Sequence, residues 1–172
     1  LLFEKELQLG GNSAKASSGM NATYSELQKE KNIDDNSQSF YEDTYKSSNT
    51  LSKYTKELIH ELAYNSNDAI KFLSKYGIIF NDIKILGGHS APRTHRNSDT
   101  IHVGSQIISY LVEHILKSKD IKVFTNSKVN ELIFSNEEII GLKYNDNKII
   151  YSDAVVIATG GFGANNQMIK HY

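Results

Sequence analysis

The sequence predicts an α/β fold on three observations. Apolar residues recur at helical spacing through the first two thirds of the chain, and the period changes to two from Ile121. The continuous apolar run Ala154-Val155-Val156-Ile157-Ala158 then ends in Thr159-Gly160-Gly161. Period separates amphipathic helices from half-buried strands, and an unbroken apolar run of this length marks a strand covered on both faces.

In chain order, Leu1-Leu2-Phe3 reads as the tail of a strand and is followed by Gly10-Gly11-Asn12-Ser13-Ala14-Lys15-Ala16-Ser17-Ser18-Gly19-Met20-Asn21. That stretch has too few large apolar residues for an ordinary packed helix, so it reads as backbone lying against something. A polar stretch runs to about Asn36. Residues 37–48 form a helix starting on Ser37, and residues 50–64 a second, capped by Thr50, with Leu51, Tyr54, Leu58, Ile59 and Leu62 on one face. Asn65-Ser66-Asn67-Asp68 opens a third, with Ala69, Ile70 and Leu73 inward and Gly77 as its stop.

The loop Gly87-Gly88-His89-Ser90-Ala91-Pro92-Arg93-Thr94-His95-Arg96 holds the only Pro and both Arg of the chain. The cleanest helix follows over residues 105–118, with Ile107, Ile108, Leu111, Val112, Ile115 and Leu116 on one stripe that must pack on a sheet or another helix. Residues 121–125, 128–134, 138–144 and 148–152 read as short strands of a small β-meander, the last two joined at Asn145-Asp146-Asn147. The final residues, from Gln167, read as a helix entered and cut. With a first residue other than Met, the chain is expected to be an internal piece of a longer protein.

Composition narrows the function. A length of 172 residues suits one domain with a sizeable core. A net charge of −1 attracts neither polyanions nor acidic membranes, so nucleic acid is not an expected partner. The absence of Cys excludes disulfides and thiolate catalysis and removes the usual ligands of structural zinc. No apolar run approaches the roughly 20 residues of a membrane span, so a soluble chain is expected. His89 and His95, spaced through a Pro loop, offer no convergent metal geometry, and no metal site is expected.

Ligands of parallel α/β sheets sit beyond the carboxyl ends of the strands, which makes Thr159-Gly160-Gly161 a candidate contact, although such a turn can also be a plain strand exit. Glu4, just past a strand tail, is where a dinucleotide fold places a carboxylate on a ribose; on spacing alone, a surface Glu is the stronger reading. Arg93, His95 and Arg96 could clamp a dicarboxylate through charge-assisted bonds or could brace their loop, and the bracing reading is preferred.

Taken in order, these pieces resemble the flavoproteins with two dinucleotide-binding domains. More narrowly, the stretches 10–22, 87–96 and Val156-Ile157-Ala158-Thr159-Gly160-Gly161-Phe162 resemble the soluble fumarate reductases of fungi and trypanosomatids and the flavoprotein part of bacterial flavocytochrome c. The resemblance implies a partial FAD-binding, Rossmann-like domain over residues 1–172 that lacks the glycine-rich strand-turn before Leu1 and the capping domain after Tyr172. It implies that Glu4, with Lys5 beside it, holds the adenosine ribose and that Gly11, Asn12 and Ser13 line the pyrophosphate and ribityl path. Ser17, Ser18, Gly19 and Met20 would lie against the isoalloxazine, with Gly19 also touching substrate. Val129 would contact adenine through its backbone, and Thr159, Gly160 and Gly161 would close over the cofactor.

Where related succinate dehydrogenases carry a His bonded covalently to FAD, this chain has Ser13 and Ala14, so the resemblance implies non-covalent FAD. The implied activity is reduction of fumarate to succinate by hydride transfer from reduced flavin, with the catalytic Arg and His residues beyond Tyr172. The partner would be a small dicarboxylate, the compartment cytoplasmic or mitochondrial, and the electron donor open. Alternatives on the same fold are flavoproteins acting on urocanate, aspartate or ketosteroids, or a non-catalytic remnant of the cofactor domain. Without the first strand and its glycine turn, the isolated piece is expected to hold FAD weakly or to aggregate.

Overall fold

The computed structural model describes residues 1–48, 52–98 and 102–171. The chain divides into two compact units, one of Leu1–Leu2 with Gln8–Val123 and one of Phe3–Leu7 with Phe124–Tyr172. The division cuts through two short strands, β1 (Leu2–Phe3) and β5 (Val123–Phe124).

In the first unit, a single 3-10 turn (Ser13–Lys15) and β2 (Met20–Asn21) precede α1 (Glu26–Glu30), α2 (Ser37–Ser47) and α3 (Lys53–Lys75). β3 (Asp82–Lys84), β4 (Thr94–Arg96) and α4 (Val103–Lys117) follow. β4 is the centre of a three-stranded antiparallel sheet ordered β2-β4-β3, with Met20 opposite His95 and Ile83 opposite the same residue on the other side. The core beside it joins Leu73, Ile78, Phe80 and Val103, with Met20, Leu27, Ile70, Tyr76, Ile107 and Leu111 packed around them.

The helices begin and end for legible reasons. Ser25 and Gln28 form a reciprocal capping box that starts α1, a short helix within the stretch read as polar linker. α2 is capped by Asn36, whose side chain accepts from Ser39 N–H at 2.9 Å, rather than by Ser37, which is buried against Thr23. α3 ends in a Schellman pattern: Gly77 N–H donates to Ser74 O at 3.0 Å and Ile78 N–H to Leu73 O at 3.2 Å. Gly77 is therefore the stop the sequence indicated.

Two expected helices are one. Asn65-Ser66-Asn67-Asp68 does not open a new helix, because its polar side chains find partners that leave the helical backbone bonds intact. Asn65 Nδ2 donates to Glu61, Ser66 Oγ to Ala63 O and Asn67 Nδ2 to Tyr24 O. The cap expected at Thr50 and the contact expected of Leu51 lie outside the described residues. The buried stripe also differs: Ile59, Ala63, Ser66 and Leu73 face inward, while Tyr54, Leu58 and Leu62 are exposed. Ile59 and Leu73 are shared by both readings, and the small Ala63 and Ser66 between them allow the close approach that larger residues would prevent.

α4 carries the expected apolar stripe, but Ile107, Ile108, Leu111, Val112 and Ile115 are only half-buried and Leu116 is exposed. In the second unit, β6 (Val129–Ser135), β7 (Glu138–Tyr144) and β8 (Lys148–Tyr151) form three strands of the expected meander, whereas residues 121–125 yield only β5, which pairs with β1 and not with this sheet. Asn136 and Glu137 turn β6 into β7 with φ of 49° and 69°, the two left-handed positions of a type I′ hairpin. Phe3, Phe124 and Tyr144 pack their rings together, with Phe3 and Phe124 stacked at 4.9 Å. A short helix, α5 (Asn166–His171), lies where the sequence indicated one.

The run 154–158 is not a strand. Its residues take part in no sheet, and Val156 and Ile157 are 88% and 66% exposed. A buried strand needs neighbours on both edges and layers on both faces, and among the described residues none lies beside this segment.

Candidate functional site

The glycine- and serine-rich stretch is held from beneath by α4. Gly104 N–H donates to Ala16 O at 2.8 Å, and Ser105 Oγ donates to Ala14 O at 2.7 Å. A Cβ at position 104 would lie 2.0 Å from Ser13 O, so this helix reaches the 3-10 turn only because its first turn contains glycine. On the other side the stretch is open. Gly11, Asn12, Ser13, Ser17 and Ser18 are exposed, and nothing lies within 4 Å of where a Cβ on Gly11 would sit. Among the described residues, the N–H groups of Gly11, Asn12 and Ser13 meet no backbone acceptor. The chain here presents small side chains and backbone donors on a supported loop, which suits contact with an anionic, elongated ligand.

Gly19 and Met20 belong to a different constraint. Gly19 has φ of +147°, and a Cβ there would lie 2.5 Å from Thr94 Cγ2 and 2.6 Å from His95 O. This glycine is required by packing against β4, whatever it touches on its open side. Asn21 is fixed by Thr94, whose Oγ1 donates to Asn21 Oδ1 at 2.7 Å, and Ala22 N–H donates to Arg93 O at 3.0 Å.

Behind β4 lies a buried ionic cluster. The Arg93 guanidinium has no solvent exposure and grips Asp35 with two bonds, Nη2 to Oδ1 at 2.8 Å and Nε to Oδ2 at 3.1 Å. Nη1 donates to Asp43 Oδ2 at 2.9 Å. Ser90 N–H and Oγ–H donate to the same Asp43 oxygen at 2.6 and 2.8 Å, and Gln28 Nε2 reaches Asp35 at 3.0 Å. Burial pushes the Asp43 carboxyl up, but the Ser90 donors and the guanidinium together outweigh it and hold the group below the ordinary carboxylate value. The bracing role of Arg93 is what the geometry shows; a side chain so enclosed and so paired is not presented to a substrate.

His95 is equally enclosed. Its Nδ1 donates to Arg93 O at 2.9 Å, since a carbonyl can only accept, and its Nε2 faces Ser25 Oγ at 2.6 Å. Burial lowers its pKa, opposed by the carbonyls of Arg93 and Met20. Burial and the charge of Arg93 lower that of His89 as well, and among the described residues His89 Nδ1 is buried without a hydrogen-bond partner. Arg96 is half-buried and bonds Asn97 O.

In the second unit, Glu4 sits where the chain leaves β1: its N–H donates to Phe124 O at 2.9 Å and its carbonyl accepts from Ser127 N–H at 2.8 Å. Its carboxylate accepts from Glu6 N–H at 2.8 Å, which orders the side chain over its own loop. Lys5 is exposed and paired with Glu6. Val129 is exposed and opens β6 opposite Tyr144. Thr159, Gly160 and Gly161 are exposed; Gly160 has φ of +73°, and nothing stands within 4 Å of a Cβ at either glycine. Open glycine backbone of this kind fits the approach of a flat ring system or a phosphate. Among the described residues, no group of three His, Asp or Glu is placed to hold a metal ion.

Gly104, Asp35, Asp43 and Ser25 were not singled out by sequence. The carboxylates meet Arg93 across 58 and 50 residues, a distance no local pattern spans. A Val-Gly pair at the opening of a strongly amphipathic helix was a usable sign of close approach.

Comparison with known proteins places the chain: residues 1–172 match the family described as FAD binding domain, and the chain belongs to it. FAD is thus its cofactor. Across the whole chain it is 39% identical to the NADH:fumarate oxidoreductase of Klebsiella pneumoniae (strain 342), of which it covers 19%. Across 99% of the chain it is 34% identical to fumarate reductase 1 of Saccharomyces cerevisiae, of which it covers 38%. It superimposes on an open conformation of a flavocytochrome c3 fumarate reductase with a TM-score of 0.90, at 30% identity, over 99% of this chain and 31% of that one. The chain thus spans well under half the length of these relatives.

Proposed function

We propose that the chain is the FAD-binding part of a fumarate reductase and that both units belong to one cofactor domain. The observation that carries the proposal is the open, donor-rich backbone of 11–18, fixed from behind by Gly104 and β4, in a chain similar along its whole length to proteins named for fumarate reduction. Gly11, Asn12 and Ser13 would hold the pyrophosphate and ribityl chain, and Ser17, Ser18, Gly19 and Met20 would line the isoalloxazine. Glu4, with Lys5, would take the adenosine ribose, Val129 the adenine through its backbone, and Thr159, Gly160 and Gly161 would shield the cofactor.

Bound FAD, when reduced, supplies a hydride for a carbon–carbon double bond. The residues of this chain bind and orient it, and Arg93 and His95, being enclosed, are not proton donors to substrate. Binding is non-covalent, because neither Ser13 nor Ala14 offers a nucleophilic ring nitrogen. The substrate is a small dicarboxylate, whose contact within this chain is Gly19, and the compartment is cytoplasmic or mitochondrial. No helix of the described residues is long and apolar enough to cross a membrane.

The test is to load the complete protein that contains this chain with FAD, precipitate it with acid and separate the phases, then repeat with the photoreduced protein under argon and add fumarate. Free FAD in the supernatant and reoxidation by fumarate support the reading. Flavin retained in the pellet refutes non-covalent binding, and reduced flavin indifferent to fumarate refutes the substrate.

A further inference from the structure

We propose that His95 is a positioning residue for the cofactor loop, holding the Gly19–Met20 backbone at a set height against the flavin. The inference rests on the proposed placement of residues 17–20 at the isoalloxazine. Its ground is that His95 ties this loop to three separate supports.

The first support is β4 itself. Met20 and His95 are register partners, and Gly19 leaves so little room that a Cβ would stand 2.6 Å from His95 O. The backbone at position 19 therefore lies too close to that of position 95 for any side chain to stand between them. The second is the Arg93 carbonyl, which accepts both from His95 Nδ1 at 2.9 Å and from Ala22 N–H at 3.0 Å, so the ring and the chain just beyond β2 share one anchor. That anchor is held by the Arg93 guanidinium bonded to Asp35 and Asp43. The third is Ser25, whose Oγ meets Nε2 at 2.6 Å and also caps α1 by accepting from Gln28 N–H at 3.1 Å. The Phe80 ring stands edge-on to the imidazole at 6.3 Å and closes its remaining side.

With both nitrogens engaged and 1% exposure, His95 has no access to a ligand. Its effect on a bound flavin can only pass through Gly19 and Met20. A loop held by packing and bonded supports keeps its geometry when the ligand arrives, whereas displacement of about 1 Å at a reacting centre costs on the order of 100-fold in rate.

The test compares the complete, FAD-loaded protein that contains this chain with its His95→Leu, His95→Asn and Ile59→Ala variants. The side-chain amide introduced by His95→Asn can still donate to Arg93 O, so that variant guards against a misfolded His95→Leu. Ile59→Ala loosens the core of α3 away from the loop and reports what destabilisation alone does. The readouts are the visible absorbance of bound flavin, its midpoint potential and the FAD dissociation constant. The expected result is a shifted flavin band and potential and about tenfold weaker FAD binding in His95→Leu. His95→Asn should be intermediate, and Ile59→Ala should keep the parent spectrum and potential. Flavin properties in both His95 variants equal to those of Ile59→Ala would overturn the proposal while leaving the cofactor reading in place. An unsubstituted protein that takes up no FAD would overturn both.

Discussion

Replacing Arg93 by Met is the sharpest probe of how the first unit is held together. The guanidinium meets Asp35 at 2.8 Å and Asp43 at 2.9 Å, with carboxylate side-chain exposures of 0% and 11%. Removing one partner of a buried ion pair typically costs about 3–5 kcal/mol, because the remaining charge stays desolvated. Here two carboxylates would remain. Neutral donors still serve them, Gln28 Nε2 and Asn36 N–H on Asp35 and the two Ser90 donors on Asp43, which places the expected loss near the lower figure, about 3 kcal/mol. Against a domain stability of roughly 5–15 kcal/mol, that leaves a folded but marginal protein. Urea unfolding followed by far-UV circular dichroism is the suitable assay, since the sequence has no Trp. A second variant, Arg93→Met with Asp35→Asn, should recover part of the loss by removing one orphaned charge. A loss under about 1 kcal/mol in the single variant, or further destabilisation in the double, would refute the cluster as the brace of β4.

Gly104→Ala should destabilise the first unit by about 1–3 kcal/mol and weaken FAD binding, since its methyl would meet Ser13 O; unchanged melting and FAD titration would contradict this. His95 is held below its ordinary pKa of 6.5, so below that pH the unfolded chain binds more protons than the folded one. The stability His95 contributes is thus complete above pH 6.5 and is lost as pH falls through that value towards the folded pKa, with His89 acting in the same direction. Unfolding measured from about pH 7.5 to 5.5 should show this slope, and it should flatten in His95→Gln. Glu137, at φ of 69° in the β6–β7 turn, is a side chain in a glycine conformation; Glu137→Gly should stabilise the meander by about 0.5–1 kcal/mol, read as a rise in melting temperature.

Much of the secondary structure was legible because it is locally encoded. The Schellman end at Gly77, the amphipathic stripe of α4 and the period-two strands of the meander all rest on residues within a few positions of one another. The places where the expectation failed need distant partners. Asn65-Ser66-Asn67-Asp68 resembles a helix start until Tyr24 O, 43 residues away, is available to Asn67. The run 154–158 has a strand's composition and no strand beside it among the described residues.

The functional region divides in the same way. Residue order alone shows that small residues and glycines stand at 10–19 and 159–163, that two Arg share one loop, and that the ordered motifs resemble those of a flavoprotein family. It leaves open what the cationic loop does, because a substrate clamp and a brace have identical local sequences. The fold resolves that choice by bringing Asp35 and Asp43 to Arg93 and Ser25 to His95, and by closing all of them off from solvent. Desolvation and long-range pairing set the work of a buried charge, and both arise only once distant segments meet, so they are written in no short stretch of the chain.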